Sequence, residues 1–239
     1  LRAQLINLQN SDGSWPFAWQ WNPSNRQWQA VSETRTGAQI WVMLSLIQAS
    51  PRPIHSSIEA ALARADRWID ARRDGTSERY ELIRFTARDL PETGWNELNV
   101  VSTEHLIDLY AYWTHRGRDT TRLRSTLQAL WGAGHFASGF VFRSGRWIPN
   151  RDEVYLDTQT WGRLALRQDW VRLEYSQANL RFPGQARGLT GWSESRHQLR
   201  SGTPPLWTEG SYGMLLAQAE SGEVSEQSRA WEVFTYEQL

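Results

Sequence analysis

Apolar residues recur at intervals of three and four along most of the chain, the pattern of amphipathic helices. In Thr36–Gln48 (TGAQIWVMLSLIQ) this places Ile40, Trp41, Leu44 and Ile47 on one face, and Pro51 and Pro53 end the segment. A candidate capping box, Ser56 with Glu59, opens a second helix that runs to about Arg72 with Ile58, Leu62, Ala65 and Ile69 as its buried stripe. These two segments make a helical hairpin. Thr103–Trp113 with Arg122–Trp131 make another, Thr158–Trp170 with Val171–Leu180 a third, and Glu209–Ala219 with Glu226–Tyr236 a fourth. Period-two alternation is convincing only in GFVFRSGRWI (Gly139–Ile148), a hairpin turning at Ser144-Gly145 and expected to be the only notable β element.

The first helix of each pair opens on similar wording: VSETRTGAQIW, VSTEHLIDLYAYW, YLDTQTWGRLAL and LWTEGSYGMLLA. Each carries a carboxylate near the start, at Glu33, Glu104, Asp157 and Glu209, separated by 71, 53 and 52 residues. Repeats of that length mark stacked or ring-arranged helical hairpins. Acid-headed helices alternating with plain amphipathic ones predict two layers, the acid-headed set inside with its N-termini on one rim. The expected fold is therefore all-α, an (α/α) toroid or barrel of helical hairpins. Six such hairpins need about 350 residues, so residues 1–239 read as one toroid domain in an incomplete six-hairpin ring, a fragment of a longer chain.

Charge narrows the function. Lys plus Arg and Asp plus Glu both number 26, so no net field recruits nucleic acid or an anionic membrane. No apolar run approaches the roughly 20 residues of a membrane span. The absence of cysteine excludes disulfides and thiol chemistry and leaves cytoplasm, periplasm and exterior open. The 15 tryptophans are the unusual count. Indole is a flat apolar plate with one polar handle, suited to helical cores and equally to the C–H faces of sugars.

Carboxylates in a first helical turn complement the helix dipole, a structural reason sufficient for any one of them. Four at equivalent positions of converging helices supply what glycosidic cleavage needs, one carboxyl kept protonated and one ionised. Glu209 is assigned as general acid, because Trp207, Tyr212 and Met214 would desolvate it, and Glu104 or Asp157 as the ionised base beside Ser102, Thr103, Thr158 and Gln159. Glu104 and Asp108 share a helical face with His105 next to it, and a salt-bridged cluster is the structural alternative there. The expected ligand is an oligo- or polysaccharide, held by Trp161, Trp207, Tyr212, His105, Asp108 and Glu33. The sequence has no HExxH-type metal spacing, and no metal or cofactor is expected.

Several stretches resemble known families. LxxLQxxDGSW, with Gln9, Gly13 and Trp15, resembles the QW motif of terpene cyclases and prenyltransferases, in which Gln closes a helix end under a Trp. WTEGSYGMLLA resembles the SEG-x-x-YGM stretch of glycoside hydrolase family eight, one residue shorter between Gly and Tyr; that resemblance implies Glu209 as acid and Tyr212 as a rim aromatic. VVSTEHLIDLYAYW, followed by D-x-Q-x-W and W-x-EG helices, resembles bacterial six-hairpin glycosidase-like proteins over residues 95–219. Terpenoid cyclisation would need DxDD or DDxxD, which does not occur, and sugar epimerases use His pairs. Two readings remain, a glycoside hydrolase or polysaccharide lyase and a non-catalytic glycan- or protein-binding toroid.

Overall fold

The computed structural model describes residues 2–31, 33–50, 53–85, 99–184, 189–202 and 204–222. The predicted helix over 226–236 lies outside them. The chain divides into two compact units, one of residues 1–126 and 141–147, the other of 127–140 and 148–239.

Unit 1 holds α1 (Arg2–Asn7), strands β1 (Trp19–Asn22) and β2 (Gln27–Ala30), α2 (Thr36–Gln48), α3 (Ser56–Asp70), β3 (Val100–Ser102), α4 (Thr103–His115) and most of α5 (Thr121–Leu130). Its core is Ile40, Met43, Leu46 and Ile47 of α2, Ile58, Leu62, Ala65 and Ile69 of α3, and Leu106, Leu109 and Tyr112 of α4. The α3 stripe is the predicted one. On α2 the buried face is rotated by a residue or two, so that Met43 and Leu46 are enclosed and Trp41 faces solvent. The Ser56–Glu59 capping box is replaced by His55, whose Nδ1 accepts from the Ser57 amide at 3.3 Å. Arg116 forms a two-pronged pair with Glu59 at 2.8 and 2.7 Å, and Arg118 and the Tyr112 hydroxyl both bond Asp66, at 3.0 and 3.2 Å. Burial nonetheless raises the Asp66 carboxyl above its ordinary range.

Unit 2 holds β4 (Trp131–Gly132), β5 (His135–Phe136), α6 (Leu156–Leu166), α7 (Glu174–Asn179), α8 (Arg196–Arg200) and α9 (Thr208–Glu220). Val154, Leu156, Leu173, Leu180, Trp192, Met214 and Leu215 form one apolar cluster there. The predicted 139–148 hairpin forms as β6 (Gly139–Arg143) and β7 (Arg146–Asn150), with Ser144 and Gly145 both at positive φ, as a tight two-residue turn requires.

The chain is not the all-α toroid that helical periodicity predicts. Besides nine helices, seven strands occur among the described residues, in sheets β1-β2, β3-β6-β7 and β4-β5, so the architecture is mixed α/β. The reason is local. WQWN and QWQA alternate strictly and pair with Trp21 opposite Trp28 and Trp19 opposite Ala30, while β3, β4 and β5 are two or three residues long and too short to display a period.

One device recurs at the fourth residue of three helices. The Gln39 side chain of α2 accepts from the Trp15 amide at 2.5 Å and donates to the Trp15 carbonyl at 2.8 Å. Gln159 of α6 does the same for Phe136, at 2.8 and 3.4 Å. Ser211 of α9 accepts from the Trp192 amide at 3.0 Å and donates to its carbonyl at 3.5 Å. All three side chains are buried, and each satisfies both backbone groups of an aromatic residue upstream of its helix. Trp15 itself donates its indole N–H to Leu5 O at 2.7 Å, at the end of α1, and Gln9 donates to Gly13 O and Ala61 O, both at 2.9 Å, tying that turn to α3.

Candidate functional site

The acid-headed helices pack in pairs, α2 with α4 in unit 1 and α6 with α9 in unit 2. Helices α6 and α9 run parallel. A Cβ on Gly213 would lie 3.3 Å from Thr160 Oγ1 and 3.8 Å from Trp161 Nε1; further along, Arg163 Nε donates to Ser221 Oγ at 3.1 Å and Arg167 pairs with Glu220 at 3.7 Å. The first turns, with Asp157 and Glu209 each at the second helical residue, are therefore level at one end. An open pocket of about 270 Å³, lined by Arg163, Asp169, Arg172, Leu173, Glu174 and Ser221 among others, lies at the opposite, C-terminal end of the pair and includes neither carboxylate.

Asp157 is half-buried and accepts from the Thr158 amide at 2.6 Å. Trp161, one turn on, is also half-buried. Tyr155, just before the helix, is held above the ordinary phenol pKa first by partial burial and then by the carboxylates of Glu153, Glu194 and Asp157, which disfavour a phenolate. Glu153 and Glu194 thus share with Asp157 the surroundings of Tyr155, and neither is singled out by the sequence pattern. Glu153 is fixed by the amides of Val154 and His197, at 2.9 and 3.0 Å, and Glu194 accepts from the Gln198 side chain. Their signal is weak, since Glu153 lies three residues before α6 and Glu194 two before α8, and the long-range pairing of Tyr155 with Ser195 brings the two segments together.

Glu209 is exposed. The apolar enclosure expected around it does not form, because Met214 points into the core and Trp207 folds its indole back over Gly210, where a Cβ would stand 2.1 Å from the ring. Tyr212 lies one turn beyond Glu209 on the same face and is also exposed. The α9 surface therefore offers a carboxylate between an indole and a phenol.

In unit 1 the first turns of α2 and α4 meet where Gly37 leaves room for the His105 ring, which a Cβ would strike at 2.4 Å. His105 is buried and stacks on Phe85 with centroids 4.6 Å apart; its Nδ1 finds no hydrogen-bond partner among the described residues. Burial, with a smaller push from Arg35, lowers its pKa to about 3, so it is a neutral core imidazole. Asp108 is buried as well, and Glu104 is half-buried at the second residue of α4. Glu33 is not equivalent to the other three carboxylates: it precedes α2 and pairs with Arg35, while Gly37 occupies the second helical position. The Arg35 guanidinium also covers the Phe17 ring at 4.2 Å. Among the described residues no group of three or more His, Asp or Glu could hold a metal, and no helix is long and apolar enough to cross a membrane.

No protein-family model matches the sequence, and no curated protein is similar to it. Among solved structures, one described as a novel alpha-amylase from Clostridium perfringens aligns with 100% of this chain and 70% of its own, at 11% identity and a TM-score of 0.62. The likeness is one of fold. At that identity the likeness carries no residue role across, so Asp157 and Glu209 stand on their own geometry.

Proposed function

We propose that this chain acts on an oligo- or polysaccharide at the N-terminal end of α6 and α9, cleaving a glycosidic bond with Glu209 as general acid and Asp157 as the ionised partner. The observation that carries this is the level placement of two first-turn carboxylates on parallel helices, each beside an aromatic side chain that is at least partly open to solvent. A sugar ring seated on Trp161, Trp207 or Tyr212 would cover Glu209 and shield from water the carboxyl that delivers a proton to the glycosidic oxygen. Asp157 is held in place by the Thr158 amide, from which it accepts at 2.6 Å. The likeness of fold to an alpha-amylase supports the same class.

The test is a screen of neutral and uronic-acid glycans followed by Glu209→Gln, Asp157→Asn and, in unit 1, Glu104→Gln. Turnover should fall about 10²- to 10⁴-fold in the first two with folding intact; a variant that keeps its turnover removes that residue from the mechanism. The exposure of Glu209 favours one second reading, a glycan-binding protein without turnover. Saturable glycan binding by the wild type, with no cleavage of any substrate, would establish it.

A further inference from the structure

The β1–β2 ribbon of unit 1 is two-faced. Pairing of Trp21 with Trp28 and Trp19 with Ala30 puts three indoles and a methyl on one face; Gln20, Asn22, Gln27 and Gln29 occupy the other. Both faces meet solvent. Trp19, Trp21 and Trp28 are 41%, 45% and 63% exposed. Trp21 and Trp28 meet edge to face, with centroids 5.6 Å apart and an interplanar angle of 61°. On the opposite face Asn22 donates to Gln29 at 3.1 Å. The base of the ribbon is closed by Val31 N to Ala18 O at 2.9 Å and Phe17 N to Glu33 O at 3.0 Å, so the aromatic strip leads down to exposed Phe17 under Arg35.

Three large indoles held in water on eight residues of strand are a liability without a ligand. We propose that this face is a binding platform for an uncharged polysaccharide chain, distinct from the Asp157–Glu209 end of unit 2. The choice of ligand rests on the carbohydrate reading above; the existence of the platform does not. The argument for the occupant is chemical. Neither strand contains a charged residue, and Arg26 in the turn is the single charge between Phe17 and Val31. A surface for anionic lipid would set several Lys or Arg beside its aromatics. A protein interface of ordinary size takes some 800 Å² from each partner, with close-packed apolar anchors and charged residues at its rim. Here there are instead flat rings with N–H edges, neutral amides and no aliphatic side chain beyond Ala30, the composition that stacks on sugar rings and hydrogen-bonds their hydroxyls.

The experiment is affinity electrophoresis of the full chain through native gels containing soluble starch, hydroxyethylcellulose or xyloglucan, for the wild type, Trp21→Ala/Trp28→Ala and Trp28→Tyr. The replaced side chains are exposed, so an unchanged urea midpoint is expected and certifies folding. At least one glycan should retard the wild type; the double alanine variant should lose tenfold or more in apparent affinity and Trp28→Tyr should keep most of it. Equal retardation of wild type and double variant, or no retardation on any of the three, overturns the proposal. So does a wild-type dimer that the double variant abolishes, which would make the ribbon a contact between copies, or tryptophan-dependent binding to phosphatidylcholine vesicles. Turnover is read separately: a wild type that cleaves oligosaccharides but is not retarded loses the platform alone, and one retarded through its tryptophans without any turnover keeps it.

Discussion

His105 shows how far one side chain can depart from its sequence context. Beside Glu104 and three residues before Asp108 it looks like a member of a titrating trio, yet it is sealed between Gly37 and Phe85. Its folded pKa of about 3 lies below the ordinary 6.5, so between those values the unfolded chain binds a proton that the folded chain refuses. The stability this contributes is complete above about pH 6.5 and is lost as pH falls toward 3, at up to about 1.4 kcal/mol per pH unit. Urea midpoints of wild type and His105→Gln at pH 7.5, 6.5 and 5.5 should show the wild type losing ground to the variant with acid; a constant difference would mean that the ring is not held neutral. The spacing of Glu104 and Asp108 on one helical face was legible in the sequence. Burial was not, because it depends on a glycine 68 positions earlier. Glu33 was misjudged for a similar reason: its place in the repeat was read from the nearest acid, whereas α2 starts three residues later and its second residue is Gly37.

Among the elements, α2 and α3 begin where their periodicity and start signals put them, and α4 and α9 within a residue or two, because 13 to 15 residues of 3.6 periodicity leave little ambiguity. Helix α6 stops at Leu166 and not Trp170, since Arg167 turns left-handed at φ 50° to cap it, a choice with no sequence signal. Ribbon β1–β2 is legible in its strict alternation, but each strand is only four residues long and so shows the period for just two repeats. The locks at Gln39, Gln159 and Ser211 could not be read at all, as they join residues 19 to 24 apart through side-chain-to-backbone bonds. Gln159→Leu would strand the fully buried Phe136 amide. A buried unsatisfied donor costs about 1 to 3 kcal/mol, so urea denaturation should report a loss of that size, whereas substituting exposed Gln20 should move the midpoint by less than about 0.5 kcal/mol. A Gln159→Leu protein as stable as the wild type would show that the lock is incidental.

For the whole molecule the balance of 26 cationic and 26 anionic residues has a direct consequence. Without a net field to screen, capture of a neutral glycan should change by no more than about twofold between 50 and 500 mM salt, whereas recruitment of an anionic polymer would weaken steeply. Retardation measured across that range decides between them. The locked segments and the exposed ribbon are also built unlike. The locked segments sit inside, where both backbone groups of an aromatic residue are spoken for; the β1–β2 ribbon is closed at its base by two backbone bonds and meets water on both faces beyond it. Such a ribbon is a replaceable part. Selection can lengthen it, strip its indoles or recolour it with charge without disturbing the buried helices, so descendants of one ancestor can come to adhere to different materials while inheriting the same interior.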